Sequence, residues 1–423
     1  MGRIIKLSKR LVASGAMLAG AGVLAQGLFS TPAHAAVGDP ECSSLAGVVF
    51  VSGSSAVKPV LAGLGAKLTP AGTTIVYVGQ GSCVGVNAAL GTPLTPAGVP
   101  IAGTYWDAAS GATGKTCNIS TSQVVDIGVS DVFATSCQTI TAAKVAAAGL
   151  KDFDTYFAQV MNFVVPGGAG GSDQTAISAE AAYLTFGLGD NGATPWDNAA
   201  LFAIRDFNSG TQTMLGKAIG LDATKWVGKN AGGSGTVFND IKGRINPTTN
   251  AVGDPKKLIG ILASNEADAD TTLVKKLAFQ ATGQTCAYWP DSGVAEKDKA
   301  YVRDGHYPVW GPLHLLAKAN AQGVPTNASA KVVLDAFGAQ DQDILDLEIN
   351  ANVVPLCAMN VTRSEEVGPL SSIQPTGACG CYFDAKRKTG GAGTECKVCT
   401  EANAATVCTG ARTKCNYGYC EVK

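Results

Sequence analysis

The sequence predicts an α/β protein that is large enough to form two lobes, followed by a small disulfide-rich C-terminal module. Short apolar, β-rich runs alternate with helix-like stretches through the middle of the chain, which is typical of sheets with mostly parallel strands. This middle region, about 330 residues long, exceeds the size at which a single hydrophobic core usually stops growing. Seven of the 13 cysteines lie in the last 45 residues, which marks a separate segment.

The N-terminus has the three parts of an export signal. Residues 1–10 carry four basic side chains and no acid, residues 11–29 carry no charge, and Ala33-His34-Ala35 forms an A-x-A cleavage pattern. An uncleaved anchor is the alternative, but the many Gly and Ala residues favour cleavage. We predict a signal peptide over residues 1–35 and export to the periplasm or to the cell surface and the extracellular space. No second apolar stretch reaches about 18 residues, so we expect no membrane span after cleavage.

The charge balance excludes some classes of partner. The formal net charge is −1, and removal of the signal changes it to −5. Nucleic-acid binding requires a basic face, so we expect no nucleic-acid partner. The global field does not attract anions either, so an anion site has to be built locally.

Apolar runs and helical spacing give the order of elements. Val57, Val60, Leu61, Leu64 and Leu68 recur at the spacing of one helix face. The predicted strands are 48–51, 74–78, 124–129, 160–165, 201–204 and 258–262.

Four polar loops follow predicted strands. In open α/β sheets, ligands bind beyond the carboxyl ends of the strands, where helix N-termini offer free N–H groups. The loops are Ser52-Gly53-Ser54-Ser55-Ala56, Gly79-Gln80-Gly81-Ser82-Cys83-Val84-Gly85, Gly128-Val129-Ser130-Asp131 and Arg205-Asp206-Phe207-Asn208-Ser209-Gly210-Thr211. Each also has an ordinary structural interpretation as a turn or helix cap, and a surface ion pair is the alternative for Arg205. The second loop is not a phosphate-binding P-loop, because no Gly-Lys-Ser/Thr follows.

Taken together and in order, these loops resemble the periplasmic phosphate-binding proteins of phosphate ABC transporters, the PstS type. The shared motifs are GSSAVKP at 53–59, GQGS at 79–82, DIGVSD at 126–131 and RDFNSGT at 205–211. Pro195-Trp196-Asp197-Asn198 and residues 307–313 are further similarities, and the resemblance covers roughly residues 46–360.

The resemblance implies a ligand cleft between two lobes that close over inorganic phosphate or a similar oxyanion, with an ABC permease as a partner. It implies domain bounds of 36–360, with lobe I at about 40–160 and 305–360 and lobe II at about 161–304. Residues 361–376 are predicted to be a linker and 377–423 the Cys-rich module. The implied phosphate-binding residues are Ser54, Ser55, Ala56 through its N–H, Ser82, Asp131, Arg205, Ser209, Gly210 and Thr211.

The resemblance implies that Asp131 determines which anion the site selects. A buried carboxylate facing a fully ionised anion is a close like-charge pair, whereas hydrogen phosphate brings a proton to share. The chain departs from the family at four places: Ala56 replaces a Thr, Cys83 a Ser, Phe207 an Asp and Asn208 a Gly.

A second Ser-Gly-Thr occurs at Ser234-Gly235-Thr236. We interpret it as an ordinary helix start, because no Arg lies four residues upstream. A competing ligand loop is the alternative.

The cysteines predict disulfides rather than a metal site. Six cysteines between Cys42 and Cys357 allow up to three bridges; Cys117 and Cys137 could join each other or Cys83, and Cys286 and Cys357 are partners by position only. The tail has CxxC spacing that also suits zinc, but it has no His, and export disfavours free thiols. Its seven cysteines leave one unpaired or joined to the core.

We predict a binding protein and not an enzyme, with no cofactor and no metal. The chain has no G-x-S-x-G elbow and no H-E-x-x-H motif. His306 and His314 are expected to be structural. The alternative function is an extracellular or cell-surface interaction protein that keeps the two-lobed fold and contacts partners through its Cys-rich tail.

Overall fold

The computed structural model describes residues 38–95, 99–153, 157–244 and 253–422, so the predicted signal peptide lies outside the described residues. The strands in these ranges are β1 Val48–Gly53, β2 Thr74–Gly79, β3 Ile101–Tyr105, β4 Lys115–Ile119, β5 Ile127–Ser130, β6 Leu150–Asp152, β7 Phe157–Pro166, β8 Ala176–Ser178, β9 Phe202–Ile204, β10 Lys229–Asn230, β11 Ile259–Ala263, β12 Val274–Lys276, β13 Ala278–Gln280, β14 Trp310–Pro312, β15 His314–Lys318, β16 Val354–Pro355, β17 Val361–Thr362, β18 Ser371–Ser372, β19 Lys414–Asn416 and β20 Tyr419–Glu421.

Helices alternate with these strands through most of the chain. The α-helices are α1 Lys58–Leu68, α2 Ser82–Ala89, α3 Ala142–Ala147, α4 Ala179–Leu188, α5 Gly210–Ile219, α6 Ser234–Gly243, α7 Ser264–Ala267, α8 Ala300–Arg303, α9 Ala328–Gly338, α10 Gln342–Asn350, α11 Gly380–Arg387 and α12 Ala404–Val407. No helix in the described ranges combines the length and the apolar character that a membrane crossing requires.

Lobe I is built on a seven-stranded sheet in the order β4-β3-β2-β1-β5-β15-β6. Its centre is parallel, because β1 runs alongside both β2 and β5. In that register Gly53 lies beside Gly79 and beside Val129. The loops after these three strands therefore leave the sheet at one level and at one edge.

Alternation along β1 explains how this sheet is covered on both faces. Val49 and Val51 pack with α1, α9 and α10 on one side, whereas Phe50 faces the core that continues toward lobe II. Successive side chains of a strand point to opposite faces, so an apolar run without polar breaks is suited to a sheet that is buried on both.

Lobe II is built on a second sheet in the order β10-β9-β11-β7-β12. The first half of β7 also pairs with β14 and with β16. The predicted division places β14 and β16 in lobe I, whereas the structure adds both of them to the sheet of lobe II; β15 pairs within lobe I. The chain thus passes from one sheet to the other between β6 and β7, and again between β14 and β15.

The prediction of mostly parallel strands is wrong. Parallel pairs form the centre of the lobe I sheet and the β10-β9-β11 side of the lobe II sheet. Antiparallel pairs are more numerous among the described strands, including β3–β4 and all the pairs of β7. An apolar run indicates a buried strand but not its direction: β7 is buried throughout and runs antiparallel to β11 and β12. The α/β class and the two-lobed architecture are confirmed.

Six disulfides join twelve of the thirteen cysteines, and Cys286 is free and exposed. The pairs are Cys42–Cys117, Cys83–Cys137, Cys357–Cys379, Cys381–Cys396, Cys399–Cys415 and Cys408–Cys420. The pairing of Cys286 with Cys357 is therefore wrong, because Cys357 joins the first cysteine of the tail. This bridge accounts for the odd number of cysteines in the tail, and the disulfide-rich module is confirmed.

The C-terminal module packs against both lobes. Arg303, at the end of α8, forms an ion pair with Asp384 of α11 and lies 5.1 Å from the ring centre of Phe383. On the other side, the Tyr382 hydroxyl donates to Asp346 Oδ1 of α10 at 2.6 Å. These contacts fix the module to elements of lobe II and lobe I at the same time.

A group of four charges is buried beside this interface. Lys299 Nζ lies 2.6 Å from Asp268 Oδ2 and 2.7 Å from Asp291 Oδ1, and Lys276 contacts the same two carboxylates. Burial alone would raise the pKa of Asp268, but the two ammonium groups outweigh it and lower that pKa to about 2. Because each charge has two opposite partners, the group is satisfied as a unit.

Candidate functional site

The first loop is held against the neighbouring strands so that the Ser54 side chain is buried. The backbone N–H of Ser54 donates to Val129 O at 3.0 Å, and Tyr77 donates its hydroxyl to Ser54 O at 2.6 Å. Ser54 Oγ accepts from the N–H of Ala56 at 3.1 Å. Burial raises the pKa of Tyr77, and the charge of Asp131 adds to this, so the phenol keeps its proton.

The second loop turns sharply because of a glycine and then begins a helix. Gly81 has φ of +96°, which only glycine adopts readily, and its N–H donates to Gly53 O at 3.1 Å. A Cβ at Gly81 would lie 3.0 Å from Asn208 O of the opposite lobe. Helix α2 starts at Ser82 directly after this turn.

The third loop places Asp131 beside the start of α2. Ser82 Oγ accepts from the Asp131 N–H at 3.2 Å and donates to Asp131 Oδ2 at 3.3 Å. Asp131 is only 3% exposed, and its other oxygen, Oδ1, is buried without a hydrogen-bond partner among the described residues. Burial raises the pKa of Asp131, while the neighbouring hydroxyls of Ser54 and Ser82 and the charge of Arg205 partly lower it.

The fourth loop supplies a buried guanidinium from lobe II. Arg205 follows β9, and its backbone N–H donates to Gln212 Oε1 at 3.0 Å. The Arg205 Nε donates to Gly232 O at 2.6 Å, and Nη1 donates to the hydroxyl of Ser234. Asp206 does not bind this guanidinium; its Oδ1 accepts from the N–H of Asn208. Phe207 is 47% exposed.

All of the sequence-predicted site residues lie around one cavity between the lobes. Its lining consists of Ser54, Ser55, Ala56, Gly81, Ser82, Asp131, Arg205, Ser209, Gly210, Thr211 and Ser234. The space is small, about 10 Å³. That is close to the least volume that holds a single water, so little free space remains between the two lobes in this arrangement.

Direct contacts across the cavity show that the lobes are closed. The N–H of Cys83 donates to Asn208 O at 3.0 Å, and the hydroxyls of Ser55 and Ser234 are 3.4 Å apart. Gly210 lies so close to Ser82 that a Cβ there would overlap the serine side chain. The closed arrangement therefore depends on glycine at position 210.

Three helices begin at this cavity, and their N-termini favour negative charge. Helix α2 starts at Ser82, α5 at Gly210 and α6 at Ser234. Each N-terminus leaves backbone N–H groups without a partner in the helix and carries a partial positive charge. With the serine hydroxyls and Arg205, these groups suit an oxyanion, and Asp131 Oδ1 suits a proton carried by that anion.

Sequence reasoning missed two contributions from lobe II. Ser234 does begin a helix, as predicted, but its hydroxyl also lies at the cavity and accepts from Arg205. The repeated Ser-Gly-Thr triplet was the available signal. The missing upstream Arg was misleading, because Arg205, from the loop that contains the first triplet, donates to Ser234 of the second. The carbonyl of Gly232 had no signal in the sequence.

The sulfurs of the tail do not form a metal site in this structure. Those of Cys399, Cys408 and Cys420 lie within 4.8 Å of one another. All three belong to disulfides, so they are not thiolates.

His314, which was expected to be structural, is buried, and its Nδ1 lies 2.6 Å from Asp152 Oδ2.

The fold and this cavity define a two-lobed α/β architecture with a cleft between the lobes and an added disulfide-rich module. No family model and no curated protein sequence matches the chain. Solved structures similar to it include a putative phosphate ABC transporter substrate-binding protein from Clostridium perfringens, with 16% identity and a TM-score of 0.46 over 73% of this chain and 99% of that one.

Two further similar structures carry related descriptions. A possible phosphate-binding protein from Planctomyces limnophilus has 13% identity and a TM-score of 0.43, over 74% of this chain and 94% of that one. An ABC-type phosphate transport receptor from Vibrio cholerae has 15% identity and a TM-score of 0.43, over 73% and 99%. All three TM-scores are below 0.5, and the fold follows from the sheet topology and the cavity.

Proposed function

We propose that the chain is exported and binds inorganic phosphate, or a related tetrahedral oxyanion, in the cavity between its lobes. The observation that carries the proposal is the environment of Asp131. Its Oδ1 is buried without a partner among the described residues, next to Ser54 and Ser82 and within the field of Arg205. A buried carboxylate beside an anion site accepts a protonated anion and rejects one without a proton.

The donors around the cavity support the rest of the proposal. Hydroxyls and helix N-termini come from both lobes, so an anion held there links the lobes in the closed arrangement. The loop motifs resemble those of phosphate-binding proteins of ABC transporters, and six disulfides are suited to an oxidising compartment outside the cytoplasm. We therefore propose delivery of the anion to an ABC permease as the physiological role, with no chemistry performed on it.

Isothermal titration calorimetry of the full chain without its signal tests the binding function. We expect one site for inorganic phosphate and much weaker binding of sulfate at neutral pH. Arg205→Met should abolish the phosphate signal, because the helix N-termini alone do not neutralise a divalent anion. Lys58→Met removes a cation outside the small cavity and serves as the control. Equal binding of phosphate and sulfate by the wild-type chain would contradict the proposal.

A further inference from the structure

A second cavity adjoins the anion cavity and is much larger. Its volume is about 220 Å³, against about 10 Å³ for the anion cavity on the same measure. Ser55 and Ser234 line both spaces, and no other residue in the described part of the chain does so. These two serines therefore form the boundary between the cavities. The larger space is also lined by Lys58, Pro59 and Glu266.

The boundary between the two cavities is weak. Ser55 Oγ and Ser234 Oγ are 3.4 Å apart, well beyond the usual 2.7–2.8 Å of a hydroxyl–hydroxyl hydrogen bond. Both hydroxyls also face the anion cavity, where a bound oxyanion would offer each a better acceptor. The contact between the two hydroxyls therefore adds little to the boundary, and a substituent on the anion would displace both side chains to reach the larger cavity.

The larger cavity contains an acid without a partner. The Glu266 side chain is half-buried, and within the four described ranges it feels the charges of Arg205 and Lys58 without a hydrogen bond or a close ion pair. Burial raises the pKa of Glu266, and the charges of Arg205 and Lys58 only partly offset this. A carboxylate removed from water without a partner is unfavourable, so a cationic group placed here gains an ion pair and relieves that cost.

Lys58, on the same cavity, is a weaker recognition group. Its side chain is exposed at the start of α1, and exposed charges contribute little to binding. The cavity therefore favours a cation near Glu266 over a second anion near Lys58.

We propose that the larger cavity is a subsite for the substituent of a phosphate monoester or a phosphonate, and that Glu266 recognises an amine on that substituent. This inference rests on the proposed function, because the phosphoryl group has to occupy the anion cavity. The ligand class is then a small aminoalkyl phosphate or phosphonate, bound in addition to inorganic phosphate.

Calorimetry with three ligands tests the inference: inorganic phosphate, ethyl phosphate and 2-aminoethyl phosphate, each with the full chain lacking its signal. For the wild type we expect 2-aminoethyl phosphate to bind about tenfold more tightly than ethyl phosphate, through a partly desolvated ion pair. Glu266→Gln should reduce this ratio to within about twofold and leave binding of inorganic phosphate unchanged. Glu401→Gln, an exposed acid of the tail, is the control for loss of one negative charge.

Any other outcome of these titrations would contradict the proposed subsite. Equal binding of the two esters by the wild type, or a ratio that survives Glu266→Gln, overturns the role of Glu266. Binding of inorganic phosphate with no binding of either ester overturns the subsite but leaves the proposed function intact. Failure of all three ligands to bind overturns both.

Discussion

Ser82 Oγ is hydrogen-bonded to Asp131 twice, accepting from its backbone N–H at 3.2 Å and donating to its Oδ2 at 3.3 Å. Two elements that are 49 residues apart in the chain are joined in this way, the start of α2 and the loop after β5. The contact turns one carboxylate oxygen toward the serine and leaves Oδ1 in the cavity. The orientation of the acid is therefore set before any anion binds.

Asp131→Asn should reduce discrimination between phosphate and sulfate. The amide removes the negative charge that repels a fully ionised anion and offers a donor in its place. We expect sulfate to bind at least about tenfold more tightly than to the wild type, and phosphate to bind less tightly. Calorimetry of both anions measures this. Asp126→Asn, a half-buried acid just before β5, is the control, and unchanged selectivity in the Asp131 variant would remove this residue from the site.

Gly210→Ala should weaken anion binding by opening the closed lobes. A Cβ at this position would overlap Ser82 and lie 3.0 Å from Asp131 Cβ. Such overpacking costs about 1–3 kcal/mol, so we expect affinity to fall by at least about fivefold. Gly235→Ala is the matched control, because it also lies in the first turn of a helix at the cleft and its Cβ would meet nothing within 4 Å. Equal affinities in the two variants would show that closure does not require this contact.

Lys276→Met should destabilise the protein strongly. It leaves Asp268 and Asp291 buried with one ammonium group between them, and breaking a buried ionic group typically costs about 3–5 kcal/mol. Lys67→Met breaks an exposed pair with Asp343 and should cost less than about 1 kcal/mol. Chemical denaturation of both variants measures the difference, and similar losses would mean that the buried group adds nothing to stability.

Glu348→Gln should make the protein increasingly more stable than the wild type as the pH rises. Glu348 is buried in α10, its Oε2 has no hydrogen-bond partner among the described residues, and burial raises its pKa well above the usual value. The stability that Glu348 contributes through its raised pKa is fully present below the unfolded pKa, about 4.3. This contribution is lost as the pH rises through the higher folded pKa. Gln does not titrate, so the variant should gain on the wild type between pH 5 and 8 in thermal melts. A constant difference over that range would show that Glu348 does not titrate in this way.

Each native chain should react with one molecule of a thiol reagent. Cys286 is exposed and free, whereas the other twelve cysteines are in disulfides. Intact mass after maleimide treatment without reductant should rise by one label, and Cys286→Ser should abolish the increase. Peptide mapping should recover residues 357 and 379 as one linked pair, and any other partner for Cys357 would contradict the connectivity.

The sequence predicted the loops better than the elements around them. The loops after β1, β2, β5 and β9 each follow an apolar run, and parallel strands deliver their carboxyl ends to one edge. The role of Ser234 depends on how α6 lies against Arg205, which no local pattern records. The pairing of β7 with β14 and β16 and the bridge from Cys357 to Cys379 are also tertiary, since they join segments that no local sequence pattern brings together.

The bridge between Cys357 and Cys379 has a practical consequence for the stretch 358–378 that it encloses. A protease that cuts the backbone anywhere inside this stretch leaves the two pieces tied together by sulfur. The cut chain then migrates as one band on a denaturing gel without reductant and as two bands with it. Apparent mass under oxidising conditions is consequently no measure of whether the polypeptide is intact.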